Sequence, residues 1–226
     1  MKYLSWLIFV SLISSIFITL YLKGQQDFIH YRTLIDGNEA LALAAHYSEL
    51  EYEHGGPLLF ATNAGMFHDD GSTVGLYIQN RKEIYPINTE EGTGNFFLKP
   101  NGVFWFGDGA VGVESTESYL KNARSPRFAT QSGPMLVIDG VINPNFSKKS
   151  KNKNIRSGVC AMGEEVLFIL STEDVTFYDL AQEFQAAGCN NALYLDGYLS
   201  DFWIDGKDQV DRGYNRYRTF FLEYEM

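Results

Sequence analysis

The sequence predicts a strand-rich α+β domain in which two principal helices pack on a mixed sheet, preceded by an N-terminal transmembrane or signal helix. Three observations carry that expectation. Short apolar runs cut by Gly, Asn and Asp fill most of the chain, two stretches have helical periodicity, and a long apolar segment opens it. With 226 residues, 45% of them hydrophobic and 21 glycines, the chain suits one domain with a full core better than two small ones.

The opening segment comes first. Residues 3–22 are almost wholly apolar, follow Met1 and Lys2, and stop at Lys23, Gly24 and Gln25. A helix of about 20 residues rises roughly 30 Å, enough to cross a bilayer. An uncleaved signal anchor, a cleaved secretory signal and a buried core helix all fit this composition. The anchor leads, because Tyr21, Leu22 and Lys23 make a poor cleavage site and the run exceeds the usual ~7–15 residues of a secretory core. The early positive charge keeps the N-terminus in the cytoplasm and sends the rest outside. The expected organisation is residues 1–24 as signal anchor or signal peptide and 25–226 as one extracytoplasmic domain. That domain is expected on the periplasmic or cell-surface side, held at the inner membrane.

Residues 38–53 read as a helix, with Leu41, Ala44, Ala45 and Tyr47 on an apolar face and Gly55, Gly56 and Pro57 as its stop. Strand signals follow at 58–62, 75–78, 84–87, 103–106 and 111–114, then at 135–138, 156–162 and 166–171. Residues 176–187 form the second expected helix, with Phe177, Leu180, Ala181 and Phe184 on one face and Gly188 at its end. Strands at 192–195, 202–204 and 219–225 close the chain. Between 143 and 154 lies a polar loop with Lys148, Lys149, Lys151 and Lys153. It reads first as a solvated, mobile loop, and its place directly before Arg156 keeps open a second use, a flap that attracts an anionic substrate.

Composition removes several function classes. A net charge of −10 argues against nucleic-acid binding, which leaves a basic footprint. Four scattered histidines and two cysteines make no zinc site, and no cofactor is expected. A divalent ion bridging a phosphate and Asp196 is chemically reasonable, but no ligand cluster indicates one. Cys160 and Cys189 either bridge in an oxidising compartment or remain two buried thiols. The oligomeric state is not legible.

Polar residues beside glycines at strand ends are the candidates for chemistry: Asn63, Asn101, Gln131, Ser132, Arg156 and Asp196. Taken singly, an Asn or Asp before Gly is most often a turn. Taken in order, the strings around them form a series: residues 61–67 (ATNAGMF), 74–77 (VGLY), 95–104 (NFFLKPNGVF), 131–136 (QSGPML), 156–159 (RSGV) and 191–197 (NALYLDG). That series resembles the motifs of the phosphodiester glycosidase domain, the family of the lysosomal uncovering enzyme, and in particular a bacterial periplasmic branch of it.

The resemblance implies hydrolysis of a sugar-1-phosphodiester at the anomeric C–O bond. A phosphate leaves with little help from a general acid, so such a site needs donors for the phosphate and a carboxylate on the anomeric side. Arg156 is the expected phosphate clamp and Asp196 the expected nucleophile or base, with Arg127 a second cationic candidate. Asn63, Asn101, Gln131 and Ser132 would hold sugar hydroxyls or phosphate oxygens. Where the uncovering-enzyme type continues with glycines after the aspartate, this chain has Tyr198, a ring that narrows the approach or stacks on a sugar. Trp105, Phe202 and Trp203 are further aromatic candidates, better suited to core packing. The expected partner is therefore a carbohydrate or sugar phosphate. The competing expectation is a non-catalytic carbohydrate-binding or scaffold protein of the envelope. Convergence of Arg156 with Asp196 separates the two.

Overall fold

Fifteen strands and two α-helices make up a computed structural model that describes residues 27–35, 41–44, 57–196, 200, 202–205 and 219–224. The apolar segment 3–22 lies outside the described residues. Among those described, no helix is long and apolar enough to cross a membrane. The strands run β1 Phe28–Leu34, β2 Leu41–Ala44, β3 Leu58–Asn63, β4 Tyr77–Gln79, β5 Lys82–Tyr85, β6 Gly102–Gly107 and β7 Ala110–Ser115. Helix α1, Thr116–Asn122, precedes β8 Phe128–Ser132, β9 Met135–Ile138, β10 Val141–Ile142, β11 Ser157–Met162 and β12 Glu165–Ser171. Helix α2, Phe177–Ala186, leads to β13 Ala192–Tyr194, β14 Phe202–Ile204 and β15 Phe220–Tyr224.

Three sheets form, ordered β1-β12-β11-β13-β9-β10, β14-β3-β15-β2 and β5-β4-β8-β6-β7. The class is α+β, as expected, but the sheets are not mixed. Every described strand pair is antiparallel.

Alternation along the strands explains the layering. On β12, Val166, Phe168 and Leu170 enter the central core, while Leu167 and Ile169 face a second cluster under α2. On β6, Phe104 and Phe106 enter the central core, and Val103 and Trp105 face a third cluster beside α1. The second sheet adds Phe60, Phe221 and Leu222 to the centre. Strands buried on both faces lose the polar half of the pattern, which is why residues 165–171 read as a continuous apolar run.

The expected helix at 38–53 is a correction. Leu41–Ala44 is a strand, paired with β15 so that Leu43 opposes Phe221 and Ala42 opposes Leu222. Leu41, Ala42 and Leu43 are all buried. Leu and Ala favour helices in isolation, but this segment gains more from closing the edge of the second sheet. The remainder of 38–53 falls outside the described residues, apart from Leu41–Ala44.

Helix α2 matches the expectation closely. Thr176 and Asp179 form a reciprocal capping box at its start, and Leu180, Ala181 and Phe184 are its buried face. Gly188, at φ +91°, follows its end. Helix α1 had no sequence warning of its own, since seven residues with only Thr116 and Tyr119 buried are too short to show a period. Ser115 caps it by accepting from the Ser118 N–H.

Cys160 and Cys189 resolve to a disulfide that ties β11 to the segment after α2, with Cα atoms 6.1 Å apart. It closes a separation of 29 residues, and constraining a loop of that size stabilises a fold by about 3–4 kcal/mol. Replacing both cysteines by Ala should lower unfolding free energy by about that amount in urea titrations, and the double variant should no longer respond to reductant. A loss below ~1 kcal/mol would mean the bridge constrains nothing that the core does not already hold.

Candidate functional site

Arg156 immediately precedes β11, and its backbone is fixed against the end of β12. Its N–H donates to Ser171 Oγ (2.9 Å), and the Ser171 N–H donates back to its carbonyl (2.8 Å). The side chain is 1% exposed. Its Nε donates to the Val175 carbonyl (2.9 Å) and its Nη1 to the Tyr194 hydroxyl (3.1 Å). Its Nη2 donates to the carbonyl and side-chain oxygen of Asn152, at 3.3 and 3.2 Å. The guanidinium stacks 3.9 Å from the centre of the Phe177 ring. All of these acceptors are neutral, and among the described residues no ion pair includes Arg156. A buried cation met only by neutral dipoles keeps an uncompensated positive charge, which an anion within reach would neutralise.

Asp196 follows β13, on the strand beside β11. Its N–H donates to the Ala64 carbonyl (3.2 Å), and its own carbonyl accepts from Asn63 Nδ2 (2.9 Å) and Ser200 Oγ (2.9 Å). Ser157 Oγ reaches Ser200 Oγ at 2.9 Å and lies 3.3 Å from Asn63 Oδ1. Asn63, Ser157 and Ser200 are buried, whereas Asp196 is half-buried. This polar knot joins β3 of the second sheet to β11 and β13 of the first. It fixes the Asp196 backbone.

Tyr194 links the two charged residues. Burial raises its phenol to about 12, the Arg156 charge and hydrogen bond oppose that rise, and the Asp196 carboxylate adds to it. The Leu195 N–H donates to the Ser157 carbonyl (3.1 Å) and Gly158 opposes Tyr194, so Arg156, just before β11, and Asp196, just after β13, lie at the same end of two paired strands. The phenol stays neutral near pH 7, so it offers Arg156 a dipole rather than a counter-charge.

Beside this pair opens a pocket of about 490 Å³. The 143–152 loop supplies Asn143, Asn145, Phe146 and Asn152, facing Phe177 and Tyr178 of α2. Asn152 and Phe177 touch Arg156 directly, so the pocket wall and the guanidinium share residues. Phe146 and Phe177 stack at 5.2 Å. Among the described residues no group of three or more His, Cys, Asp or Glu is placed to hold a metal ion.

Residues 57–215 match the phosphodiester glycosidase family. This chain belongs to that family. The Escherichia coli K12 protein YigE, itself described as uncharacterized, is 35% identical over 153 residues, 67% of this chain. The chain spans 60% of that relative's length. In structure it is similar to the catalytic domain of zebrafish N-acetylglucosamine-1-phosphodiester α-N-acetylglucosaminidase, auto-inhibited by its pro-peptide. The TM-score is 0.55 at 14% identity, over 88% of this chain and 84% of that one. That likeness speaks for a shared fold.

The phosphodiester glycosidase motifs divide into two kinds of residue here. Asn63, Arg156 and Asp196 gather at the site described above. Gln131 and Asn101 gather elsewhere, in an internal network. Gln131 Oε1 accepts from the Leu76 and Asn88 N–H groups (3.1 and 2.8 Å), and its Nε2 donates to the Asn88 carbonyl (2.7 Å) and Thr116 Oγ1 (3.1 Å). Asn101 donates to the Phe96 carbonyl (3.3 Å) and accepts from Thr116 Oγ1 (2.9 Å). Gln131 is buried with both donors and both acceptor positions of its amide engaged, so it positions loops, whereas Asn101, also buried, has one donor and one acceptor engaged and lines a second cavity with Lys99 and Thr116. Gly75 belongs with them, since a Cβ there would collide with Gln131 Oε1.

Ser132 is fully buried, and its Oγ has no hydrogen-bond partner among the described residues. Arg127 is half-buried at the opposite end of β8, beside Asn80 and the Phe128 ring. Five extended residues separate it from Ser132, roughly 16 Å, and these neighbours belong to the third sheet and its β4–β5 turn. Tyr198 lies outside the described residues. Trp105 packs in the third cluster with Arg124 over its ring, and Phe202 and Trp203 pack at the central core.

Sequence reasoning missed Tyr194, Asn152, Ser157 and Ser200 as site residues. Tyr194 and Ser157 stood inside the motifs as apolar-strand neighbours of Asp196 and Arg156. A polar-tipped aromatic two residues before a candidate carboxylate was the available signal.

Tyr194→Phe should cost about 1–3 kcal/mol of stability, because the buried Arg156 loses an acceptor. The pH dependence has a definite sign. A phenol held above its ordinary 10.0 binds its proton more tightly in the folded state. Its contribution is therefore complete below pH 10 and is lost as pH climbs through about 12. Urea titrations across that window should show a steeper alkaline loss in the parent than in Tyr194→Phe, and equal slopes would refute the assignment.

Proposed function

We propose that this protein is an extracytoplasmic glycoside hydrolase that cleaves a sugar-1-phosphodiester, or a related glycosidic linkage, of an envelope glycan. The observation that carries this reading is the buried Arg156, unpaired by any described carboxylate, bonded to Tyr194 and placed at the same end of the paired strands β11 and β13 as Asp196. Family membership supplies the reaction class, and the zebrafish relative's name specifies a sugar-1-phosphodiester. The Cys160–Cys189 bridge and the apolar segment 3–22 support an oxidising compartment beyond the inner membrane.

In this reading, Arg156 binds a non-bridging phosphate oxygen through Nη1, the guanidinium nitrogen left with a spare donor once Nε is bound to Val175 and Nη2 to Asn152. Asp196 acts at the anomeric carbon, as nucleophile or as base toward a water molecule. The bond from C1 to the phosphate oxygen breaks, its electrons leave with the phosphate, and the Arg156 charge stabilises the added negative charge. The leaving group departs as a phosphate monoester and needs no protonated acid in the site. Asn63 and Ser200 hold the Asp196 main chain, so the carboxylate is aimed before substrate arrives.

Release of UMP or p-nitrophenol from α- and β-linked nucleotide sugars and glycosides by the full chain tests this directly. Asp196→Asn should reduce kcat by about 10²–10⁴-fold with KM little changed. Arg156→Lys, which keeps the charge but loses the planar fork, should raise KM and lower kcat together. Circular dichroism on both variants separates lost chemistry from lost fold. Unchanged turnover in a folded Asp196→Asn would sink the mechanism. A parent that binds an envelope glycan without turning over any substrate would point to a binding or scaffold protein.

A further inference from the structure

The loop at 143–152 does more than wall the pocket. Between Asn143 and Ser157 the sequence carries Lys148, Lys149, Lys151, Lys153 and Arg156 and no Asp or Glu, in a chain whose net charge is −10. The four lysines are exposed. Lys148 Nζ lies 5.1 Å from the centre of the Tyr178 ring, which lines the pocket. Lys99 sits on the same pocket, its carbonyl tied to the loop by Asn145 Nδ2 (3.2 Å). No residue lining the pocket is acidic. The nearest acid on α2, Asp179, has its carboxylate engaged by Thr176 in the helix cap.

A single phosphate is served by Arg156 alone, so a further run of exposed lysines calls for further negative charge. The pocket between them offers amide and aromatic walls, the surface that takes a polyhydroxylated unit. We infer that the pocket holds the unit on the leaving-group side of the scissile phosphate. The loop lysines then hold the next phosphates of an oligomeric phosphodiester, a chain of polyol or sugar units joined by phosphate. The substrate is then a phosphate-linked polymer rather than an isolated sugar phosphate. This rests on the reading of Arg156 as the phosphate clamp, and it extends that reading to what lies beyond the first phosphate.

Charge distribution sets the geometry. Lys148 and Lys149 sit in a turn closed by the Ser150 N–H on the Ser147 carbonyl (3.1 Å), and Lys151 and Lys153 follow at alternate positions, at most about 7 Å apart along the chain. A ligand that lies along the loop can therefore meet several ammonium groups in sequence, and each contact is weak, exposed and salt-sensitive.

The test is equilibrium binding to the full chain in detergent by calorimetry, with no turnover required. The probes are a synthetic glycerol-phosphate hexamer, inorganic phosphate and a single-stranded deoxyribonucleotide 12-mer. The parent should prefer the hexamer to inorganic phosphate by on the order of ten- to a hundredfold, from several weak contacts acting together. The combined variant K148Q, K149Q, K151Q and K153Q should reduce that ratio to within about threefold, and raised salt should do the same to the parent. Arg156→Lys should weaken both phosphate probes. Equal affinity of the parent for hexamer and phosphate, or a preference that survives the lysine changes, would overturn the inference. So would a 12-mer that binds as tightly as the hexamer, because the surface would then be a general polyanion receptor. Absent hydrolysis of every substrate with the hexamer preference intact would remove the hydrolase reading and leave this one standing. Hydrolysis with no hexamer preference would do the reverse.

Discussion

A guanidinium that is 1% exposed has surrendered its hydration, and everything around Arg156 is arranged to compensate. Desolvating such a cation costs several kcal/mol, and neutral acceptors recover only part of that. Val175, Tyr194 and Asn152 supply the acceptors, from the segment before α2, from β13 and from the 143–152 loop. Phe177 supplies the ring face, from the first residue of α2. Three separate pieces of chain must therefore be in place before this side chain can be buried: the loop at Asn152, the start of α2 at 175–177 and β13 at Tyr194.

The sheets explain how those pieces meet. Sheet one presents Arg156 and Tyr194 from neighbouring antiparallel strands, with Gly158 opposite Tyr194 in register. Gly158 has no room for a side chain, because a Cβ would sit 2.8 Å from the Leu193 carbonyl and 2.8 Å from the Phe184 ring. Its absence of a side chain lets β11 and β13 lie close under α2. The second sheet then brings Asn63 to the Asp196 carbonyl. The third sheet contributes no side chain to the pair. It anchors instead the Gln131 network that shapes the neighbouring loops.

Much of this was legible in the sequence, and the failures have physical causes. The strands from β6 to β13 were mostly readable because turn residues bound them on both sides. Helix α2 was readable because its cap, apolar face and terminal glycine all agree. β2 was misread because a four-residue Leu-Ala segment has no period to distinguish strand from helix, and its pairing with β15 is known only in three dimensions. The motif polar residues could be located but not sorted. An Asn or Gln beside a glycine looks the same whether its amide ties down the main chain of a candidate catalytic residue, as Asn63 does at Asp196, or braces distant loops, as Gln131 does. Burial and partners decide that, and neither is written in the local sequence.

Asn152 carries the last step, because it belongs to two structures at once. Its carbonyl and side-chain oxygen take both bonds from Arg156 Nη2, and its side chain lines the pocket under the lysine-rich loop. With Nε bound to Val175 and Nη2 bound to Asn152, the guanidinium edge left with spare donor capacity is Nη1, beside Tyr194. That edge is the one turned toward the residue that also senses Asp196. An anion bound there is held between the carboxylate side and the pocket side, with Asn152 keeping the guanidinium from rotating away. The loop therefore fixes the orientation of the guanidinium, and on the proposed function the pocket it lines is where the remainder of a phosphodiester would continue.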